Sequence, residues 1–191
     1  MPPTSERPAL LQRLRDETRP AHDALEENDF NQQLLAGTVS AAATARFLTK
    51  LYGFLQPYET CLDHHAFPAE WDIARRHRAH LILQDLTPPG GPVPALPLCP
   101  TMPPLETWPQ LLGAMYVLEG STLGGQVITR QLAKADIPLR TYFTGYAERT
   151  GPMWKQFCHL LMEAAEEVDQ EEIVQSARQT FQTLHAWINQ P

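Results

Sequence analysis

Cysteine is scarce in this sequence, with three among 191 residues, at Cys61, Cys99 and Cys158. They are far apart, odd in number and in no CxxC pair, which argues against a disulfide or zinc framework and favours reduced thiols used in packing. No stretch approaches the roughly 18 apolar residues of a membrane span, and the N-terminus has no basic region followed by an apolar run and a cleavage site. We therefore expect a cytoplasmic protein that makes no membrane contact.

Basic residues are also in the minority, with 15 Lys and Arg against 22 Asp and Glu, a formal charge of −7. This balance argues against nucleic-acid binding, which needs a concentrated basic face, so an anionic ligand would need locally placed cations. Strand signals are almost absent. The length and the 43% hydrophobic content predict one domain over residues 1–191, with a flexible tail at 1–7.

Apolar residues recur at spacings of three and four, which predicts a single-domain all-α helical bundle. Nine prolines between Thr87 and Pro109 predict a loop over 87–109, because proline disrupts helices and central strands. Ser40 is a plausible N-cap, and Pro20 and Pro57 are expected to kink or divide their helices. The predicted helices are 8–27, 40–63, 71–84, 108 or 111 to 135, 152–169 and 171–188.

One predicted helix is rich in glycine and reads Tyr116-Val117-Leu118-Glu119-Gly120-Ser121-Thr122-Leu123-Gly124-Gly125-Gln126. Glycine inside a helix costs about 0.5–1 kcal/mol relative to alanine, so three glycines within six residues need a reason. Gly120 and Gly124 share a helical face, where missing side chains let a flat ligand approach the backbone and also ease a kink. A close crossing of two helices explains the same spacing, and the sequence leaves both interpretations open.

The first predicted helix carries Arg15, His22 and Glu26 at spacings of seven and four, near one helical face. A neutral imidazole can bind iron, a carboxylate one turn away can orient its other nitrogen, and an arginine can hold a ligand carboxylate. The same pattern also fits a partly buried histidine with an ordinary i,i+4 ion partner.

These two segments together resemble the haem oxygenase family. Leu14-Arg15-Asp16-Glu17-Thr18-Arg19-Pro20-Ala21-His22 resembles the helix on the proximal side of the haem, and Phe47-Leu48-Thr49-Lys50-Leu51-Tyr52-Gly53-Phe54 through Tyr58-Glu59 resembles the next helix. The glycine-rich helix resembles the distal helix, and its wording is most similar to the bacterial branch that supplies biliverdin to bacteriophytochromes. The similarity extends over about residues 5–190.

The resemblance implies a role for each matching residue, with the haem held between the proximal helix and a kinked, glycine-rich distal helix. It makes His22 the iron ligand, and Gly120 and Gly124 the glycines whose backbone lies over the haem and steers dioxygen. It also implies that Tyr116 touches the haem edge and Phe181 packs on the ring, although both fit equally well as core aromatics. The remaining implied contacts are Glu26 to His22, and Arg15, Lys155 and His159 to the propionates.

Ser121 departs from the family pattern, because many members carry an aspartate after the first distal glycine. That aspartate organises a distal water chain, so proton delivery here needs another route. Ser121, Gln126 or Glu119 are candidates for holding water, and we group Ser121 with Gly120 and Gly124 as catalytic.

The resemblance implies oxidative cleavage of haem b, both cofactor and substrate, by dioxygen and electrons to biliverdin, carbon monoxide and ferrous iron. The chain has no nucleotide fingerprint and no iron–sulfur cysteine spacing, so a ferredoxin or flavin reductase is the expected electron donor, and a bacteriophytochrome is a possible acceptor of biliverdin. One alternative is a haem carrier or sensor that does not turn over. Another is an unrelated helical metal protein that uses His64 and His65, or His77 and His80, but Arg75, Arg76 and Arg78 nearby indicate a solvated face.

Overall fold

The computed structural model describes residues 9–190, which form helices and loops with no strand. The predicted all-α class is confirmed, whereas the predicted tail at 1–7 lies outside the described residues. Two 3₁₀ turns occur at Ala69–Trp71 and Ala147–Arg149. The α-helices of this part are α1 (Ala9–Glu26), α2 (Asp29–Ala36), α3 (Ala41–Asp63), α4 (Ile73–Arg76), α5 (Ala79–Leu86), α6 (Trp108–Gly120), α7 (Thr122–Lys134), α8 (Thr141–Thr144), α9 (Thr150–Ala164) and α10 (Gln170–Ile188).

The centre of the fold is α10, which packs along both α6 and α1. Its buried apolar side chains recur at helical spacing, and Gly113 lets α6 approach it closely. A Cβ at Gly113 would lie 2.4 Å from the carbonyl oxygen of Ile173, so this glycine serves a close helix crossing. Among residues 9–190, no helix has the length and apolar character needed to cross a membrane.

Three helices begin and end within two residues of their predicted positions, namely α1, α3 and α10. The Ser40 side chain accepts a hydrogen bond from the Ala43 amide at 3.1 Å, which confirms the predicted N-cap. Pro57 lies inside α3 without dividing it. The local periodicity and the cap are enough to specify these elements because each spans several turns.

The predicted helix over 71–84 is wrong, since α4 ends at Arg76 and α5 begins at Ala79. The cause lies on another helix: the Glu59 carboxylate accepts the backbone N–H of Arg78 at 2.6 Å and that of Ala79 at 3.0 Å. A buried carboxylate thus takes the donors that a continuous helix would use itself. The sequence prediction also lacked α2, which is capped by Asn28 and ends at a left-handed Gly37.

The predicted proline-rich loop is confirmed from Thr87 to Thr107, and α6 starts within the predicted range. Pro109 lies in the first turn of α6, where a proline costs no helical hydrogen bond. The loop crosses α3 at Gly53, whose carbonyl accepts the Cys99 amide at 2.8 Å. A Cβ at Gly53 would lie 2.5 Å from the Pro97 oxygen and 2.7 Å from the Trp187 ring.

We expect Gly53→Ala to lower the free energy of unfolding by about 1–3 kcal/mol, because the added methyl overpacks a site bounded by backbone. Gly151→Ala is the control, because no atom lies within 4 Å of its added Cβ and alanine favours the helix. Chemical denaturation of both variants measures the difference. Equal stability of the two would contradict the close loop crossing at α3.

Candidate functional site

A cavity of about 550 Å³ opens between α1 and the junction of α6 with α7. Its volume is within the range of roughly 300–1,000 Å³ of small-molecule and cofactor sites, and most of its walls are apolar, as in such sites. Residues from α1, α2, α3, α6, α7, α8, α9 and α10 contribute to it. The apolar lining includes Phe47, Leu51, Phe54, Val117, Leu118, Ile128, Phe143, Trp154, Phe181 and Leu184.

The glycine-rich segment is divided at Ser121, which separates α6 from α7. The carbonyls of the last α6 turn are taken by side chains: Ser121 Oγ donates to Leu118 O at 2.7 Å, and Thr122 Oγ1 donates to Glu119 O at 2.6 Å. Hydroxyls that bond local carbonyls compete with the helical pattern and favour a break. The single helix predicted to extend to 135 is therefore two helices, and the expected kink is a break at Ser121 beside the cavity.

The sequence left two roles open for the glycines of this segment, namely space for a flat ligand and a close crossing of helices, and the structure shows both. Gly125 lines the cavity, but a Cβ there would lie 2.3 Å from the carbonyl oxygen of Phe143, so this glycine permits a close approach of α7 and α8. Gly124 lines the cavity, and a Cβ there would meet nothing within 4 Å. Gly120 also lines the cavity, with the Trp154 ring 3.6 Å from an added Cβ. Close packing explains Gly125, whereas open space faces Gly124.

His22 lines the cavity with its side chain half exposed. Its Nε2 lies 3.7 Å from Glu26 Oε1, its Nδ1 lies 3.6 Å from Asp23 Oδ1, and its ring meets the Phe181 ring edge-on at 5.7 Å. Both carboxylate distances exceed hydrogen-bond length, so neither nitrogen is held by an acid. Asp23 was not singled out from the sequence, although it directly follows the histidine.

His22, Asp23 and Glu26 are the one group of three or more His, Cys, Asp or Glu side chains within residues 9–190 that could hold a metal ion. Two histidines of the alternative metal site bond to backbone: His64 Nδ1 and His65 Nδ1 lie 2.6 and 2.9 Å from backbone carbonyls of α3. His77 and His80 join no such group among the described residues, so the structure does not support the unrelated metal protein.

Two arginines of α1, Arg15 and Arg19, line the cavity one helical turn apart. Both are exposed, and Arg19 lies 3.8 Å from Asp23. They supply the local cations that an anionic ligand needs in an acidic chain. Arg19 was missed from the sequence, although its spacing of four from Arg15 places it on the same helical face.

The structure does not bring Lys155 and His159 to the cavity lining. Both are exposed on α9, and His159 Nε2 lies 3.3 Å from Glu163 Oε1. Trp154, the neighbour of Lys155, lines the cavity instead and packs against Tyr116, with ring centroids 5.7 Å apart. One residue of displacement along a helix turns a side chain by about 100°, which separates a cavity residue from a solvent-facing one.

Tyr116 and Phe181 both line the cavity, as the resemblance implies. Phe181 is buried, and its contact with His22 limits the orientations of the imidazole ring. Burial raises the pKa of the Tyr116 hydroxyl, and the nearby Arg15 opposes that rise. Each of these aromatics packs against the apolar core and also forms part of the cavity wall. Core packing and contact with a ligand are therefore compatible roles for both residues.

Of the three water-holding candidates, Ser121 alone lines the cavity. Glu119 is buried away from it, where it pairs with Arg76 at 2.7 Å and accepts from the Tyr146 hydroxyl at 2.9 Å. Gln126 donates to the Ala147 carbonyl at 3.2 Å. Glu119 and Gln126 therefore do not supply polar groups to the cavity.

The segment predicted as a solvated arginine face is largely buried. Arg76 and Arg78 are each 4% exposed, and only Arg75 of the three arginines is exposed to solvent. Arg76 is drawn inward by Glu119, and Arg78 lines the cavity. A local cluster of like charges suggested a surface because the acidic partner lies 43 residues away in the chain.

The three cysteines are free thiols. Burial raises the pKa of all three, that of Cys158 to about 11. Thiols with raised pKa values stay protonated at neutral pH and are poor nucleophiles. This agrees with the packing role expected from their scattered positions.

The heme oxygenase family model matches residues 8–87, which include His22. None of the curated proteins matches the chain. The heme oxygenase of Leptospira interrogans is a structural neighbour with 18% identity and a TM-score of 0.73, covering 95% of this chain and 98% of its own. Heme oxygenase-1 of the cyanobacterium Synechocystis sp. PCC6803, solved in complex with heme, has 17% identity and a TM-score of 0.69, covering 94% of this chain and 90% of its own.

The two kinds of comparison cover different parts of the molecule. The family model covers α1 and α3 but stops before the glycine-bearing α6 and α7, whereas the structural neighbours share the fold of nearly the whole chain. The match over residues 8–87 and the shared fold confirm the resemblance to the haem oxygenase family that the sequence motifs predicted.

Proposed function

We propose that this protein is a haem oxygenase that cleaves haem b with dioxygen and external electrons to biliverdin, carbon monoxide and ferrous iron. The observation that carries the proposal is a single cavity lined by His22, by the side-chain-free Gly124 and by the cations Arg15 and Arg19. A flat, apolar, dianionic ligand with a central metal matches this combination of walls, open backbone and charge.

The residues of the cavity fit haem by their chemistry. Apolar and aromatic side chains suit the macrocycle, and the guanidinium groups of Arg15 and Arg19 suit the propionates because arginine recognises carboxylates in a planar, two-pronged geometry. His22 would bind the iron as neutral imidazole, with Asp23 and Glu26 close enough to orient it through a bridging water. Phe181 limits the rotation of the imidazole ring.

Bound haem supplies the iron that activates dioxygen, and its own ring is the substrate. On the other wall, Gly124 leaves room over the backbone that any larger side chain would fill. The break at Ser121 holds the backbone around this space in place, because hydroxyl groups of Ser121 and Thr122 bond the last carbonyls of α6.

The electrons are proposed to come from a ferredoxin or flavin reductase, because the sequence has no nucleotide-binding fingerprint of its own. The Glu-Gly-Ser-x-Leu-Gly-Gly wording at 119–125 supports biliverdin supply to a bacteriophytochrome as the purpose, and a cytoplasmic location accords with both partners.

Product analysis tests this function. The protein is loaded with one equivalent of haemin and reduced by a ferredoxin system in air, with catalase present to remove free hydrogen peroxide. We expect biliverdin by liquid chromatography, with carbon monoxide and chelatable ferrous iron in equal amounts. Haem recovered intact after reduction in air would contradict the proposal and would be the behaviour of a carrier.

We expect the double variant Arg15→Gln/Arg19→Gln to bind haem about three- to tenfold more weakly, since exposed ion pairs contribute only about 0.2–1 kcal/mol each. The dimethyl ester of haem, which lacks the propionate charges, should bind both proteins equally. Lys134→Gln/Arg149→Gln removes the same charge from exposed residues outside the lining and serves as the control. An equal loss of affinity for haem and its ester would contradict a charge-specific role.

A further inference from the structure

Arg78 is a buried cation in the cavity wall. It is 4% exposed, lies between α4 and α5, and lines the cavity. Its backbone is fixed because the Glu59 carboxylate accepts the Arg78 N–H at 2.6 Å. The guanidinium is therefore held at the cavity by a rigid backbone and not by a flexible surface loop.

The guanidinium of Arg78 has few hydrogen-bond partners for a buried charge. Its Nη2 donates to Leu118 O at 2.7 Å, and the group also hydrogen-bonds the Tyr142 side chain. Its Cζ lies 5.6 Å from the Tyr142 ring and 5.7 Å from the Tyr146 ring. Its Nε is buried with no hydrogen-bond partner within residues 9–190. Leaving a charged donor unpaired in the interior is costly. Because Arg78 lines the cavity, a ligand bound there would supply the missing partner.

Arg76 is a second buried arginine of the same segment, and its Nη2 also has no hydrogen-bond partner within residues 9–190. It differs from Arg78 in forming an ion pair with Glu119 at 2.7 Å and in not lining the cavity. Arg78 forms no ion pair of its own among the described residues. Burial alone would lower the pKa of Arg78. The surrounding groups more than offset this and raise the pKa above its ordinary value, so the guanidinium stays charged; these groups are Tyr142, Tyr146, Glu119 and Glu59.

Arg78 lies close to Ser121, the residue that departs from the family pattern. Leu118 O accepts hydrogen bonds both from Arg78 Nη2 and from Ser121 Oγ. The hydrogen of the Ser121 hydroxyl is used in its bond to this carbonyl. Neither Glu119 nor Gln126 lines the cavity. Arg78 is thus a charged donor beside the glycine-bearing wall, at the place where the sequence lacks an acid.

We propose that Arg78 is a positioning residue that stabilises a small anionic ligand of the haem iron on the cavity side lined by Gly120 and Ser121. The proposal rests on the proposed haem binding. A fixed positive charge at that wall favours anions over neutral ligands, and it acts more strongly than a surface charge because Arg78 itself is only 4% exposed. It would also orient water molecules that carry protons to that side.

The test is ligand affinity of the haem-loaded ferric protein, measured by absorption titration. Arg78→Gln removes the charge but keeps a donor for Leu118 O, and we expect it to weaken azide and fluoride binding about tenfold or more, the usual size of a lost charge-assisted hydrogen bond. Carbon monoxide affinity of the ferrous form, a neutral-ligand control, should change less than about threefold, or less than about 0.7 kcal/mol.

Two further variants sharpen the test. Arg78→Lys keeps the charge and should recover most of the azide affinity, whereas Arg75→Met removes an exposed charge outside the lining and should leave it unchanged. Unchanged azide affinity in Arg78→Gln, or an equal loss of azide and carbon monoxide affinity, would overturn the proposal.

A measurement on the unmodified chain covers the case in which Arg78→Gln does not fold. A nearby cation lowers the stretching frequency of iron-bound carbon monoxide, so that of the wild type should lie below that of a haem–imidazole–carbon monoxide complex in apolar solvent; an equal or higher frequency would overturn the role of Arg78. Absence of haem binding by the wild type would instead overturn the proposed function, and with it this inference.

Discussion

Replacing His22 by alanine is expected to abolish ring opening and to weaken haem binding by at least about tenfold, since even residues that only orient a metal ligand contribute 10- to 100-fold. His22 is the histidine of the only candidate metal group among residues 9–190, and it lines the cavity. Without it, the walls still bind the macrocycle by apolar contact, so residual binding without the spectrum of a histidine-bound iron is the expected result.

Added imidazole should restore part of that spectrum in His22→Ala, because the lost side chain leaves a space beside Phe181. His185→Ala is the matched control, since His185 lies on α10 outside the cavity lining. Absorption and electron paramagnetic resonance spectra of the loaded variants provide the readout. A His22→Ala protein with the wild-type spectrum and turnover would contradict iron ligation by His22.

Substitutions at the neighbouring Gly124 and Gly125 should separate an effect on haem affinity from an effect on the stability of the fold. Gly124→Leu is expected to weaken haem binding by at least tenfold, or about 1.4 kcal/mol, because the side chain fills the open space over the backbone while the helix itself is favoured. Gly125→Ala is expected to leave that space free but to destabilise the fold by about 1–3 kcal/mol, since its Cβ collides with the Phe143 carbonyl.

Haem titration and thermal unfolding of both variants measure the two effects independently. The expected pattern is reciprocal: Gly124→Leu unfolds at or above the wild-type temperature but binds poorly, and Gly125→Ala unfolds at a lower temperature. A Gly124→Leu protein that binds haem as tightly as the wild type would show that the ligand does not lie over this backbone.

Long periodic helices were predictable because the information that specifies them is local. The apolar spacing of α1, α3 and α10 and the Ser40 cap all act within a few residues. The region after α3 was not predictable in this way. The carboxylate of Glu59 takes the backbone donors of Arg78, 19 residues along the chain, and breaks a pattern that otherwise continues.

The residues of the candidate site also differ in whether local sequence or distant packing determines their position. His22, Arg15 and Gly124 were predictable because each belongs to a motif within one helix, and all three line the cavity. Arg78 was not, since burial of a residue in an arginine cluster depends on what packs against it. Lys155 shows a different limit, because its motif position does not determine which face of α9 meets the cavity, and its side chain is exposed outside the lining.

The most direct test of the central claim is an absorption time course of the wild-type protein loaded with one equivalent of haemin, reduced by a ferredoxin system in air. The expected result is that the Soret band decays while a broad biliverdin band grows at longer wavelength. A Soret band that persists unchanged under reduction would contradict ring opening, and a haemin spectrum unaffected by the protein would contradict haem binding itself.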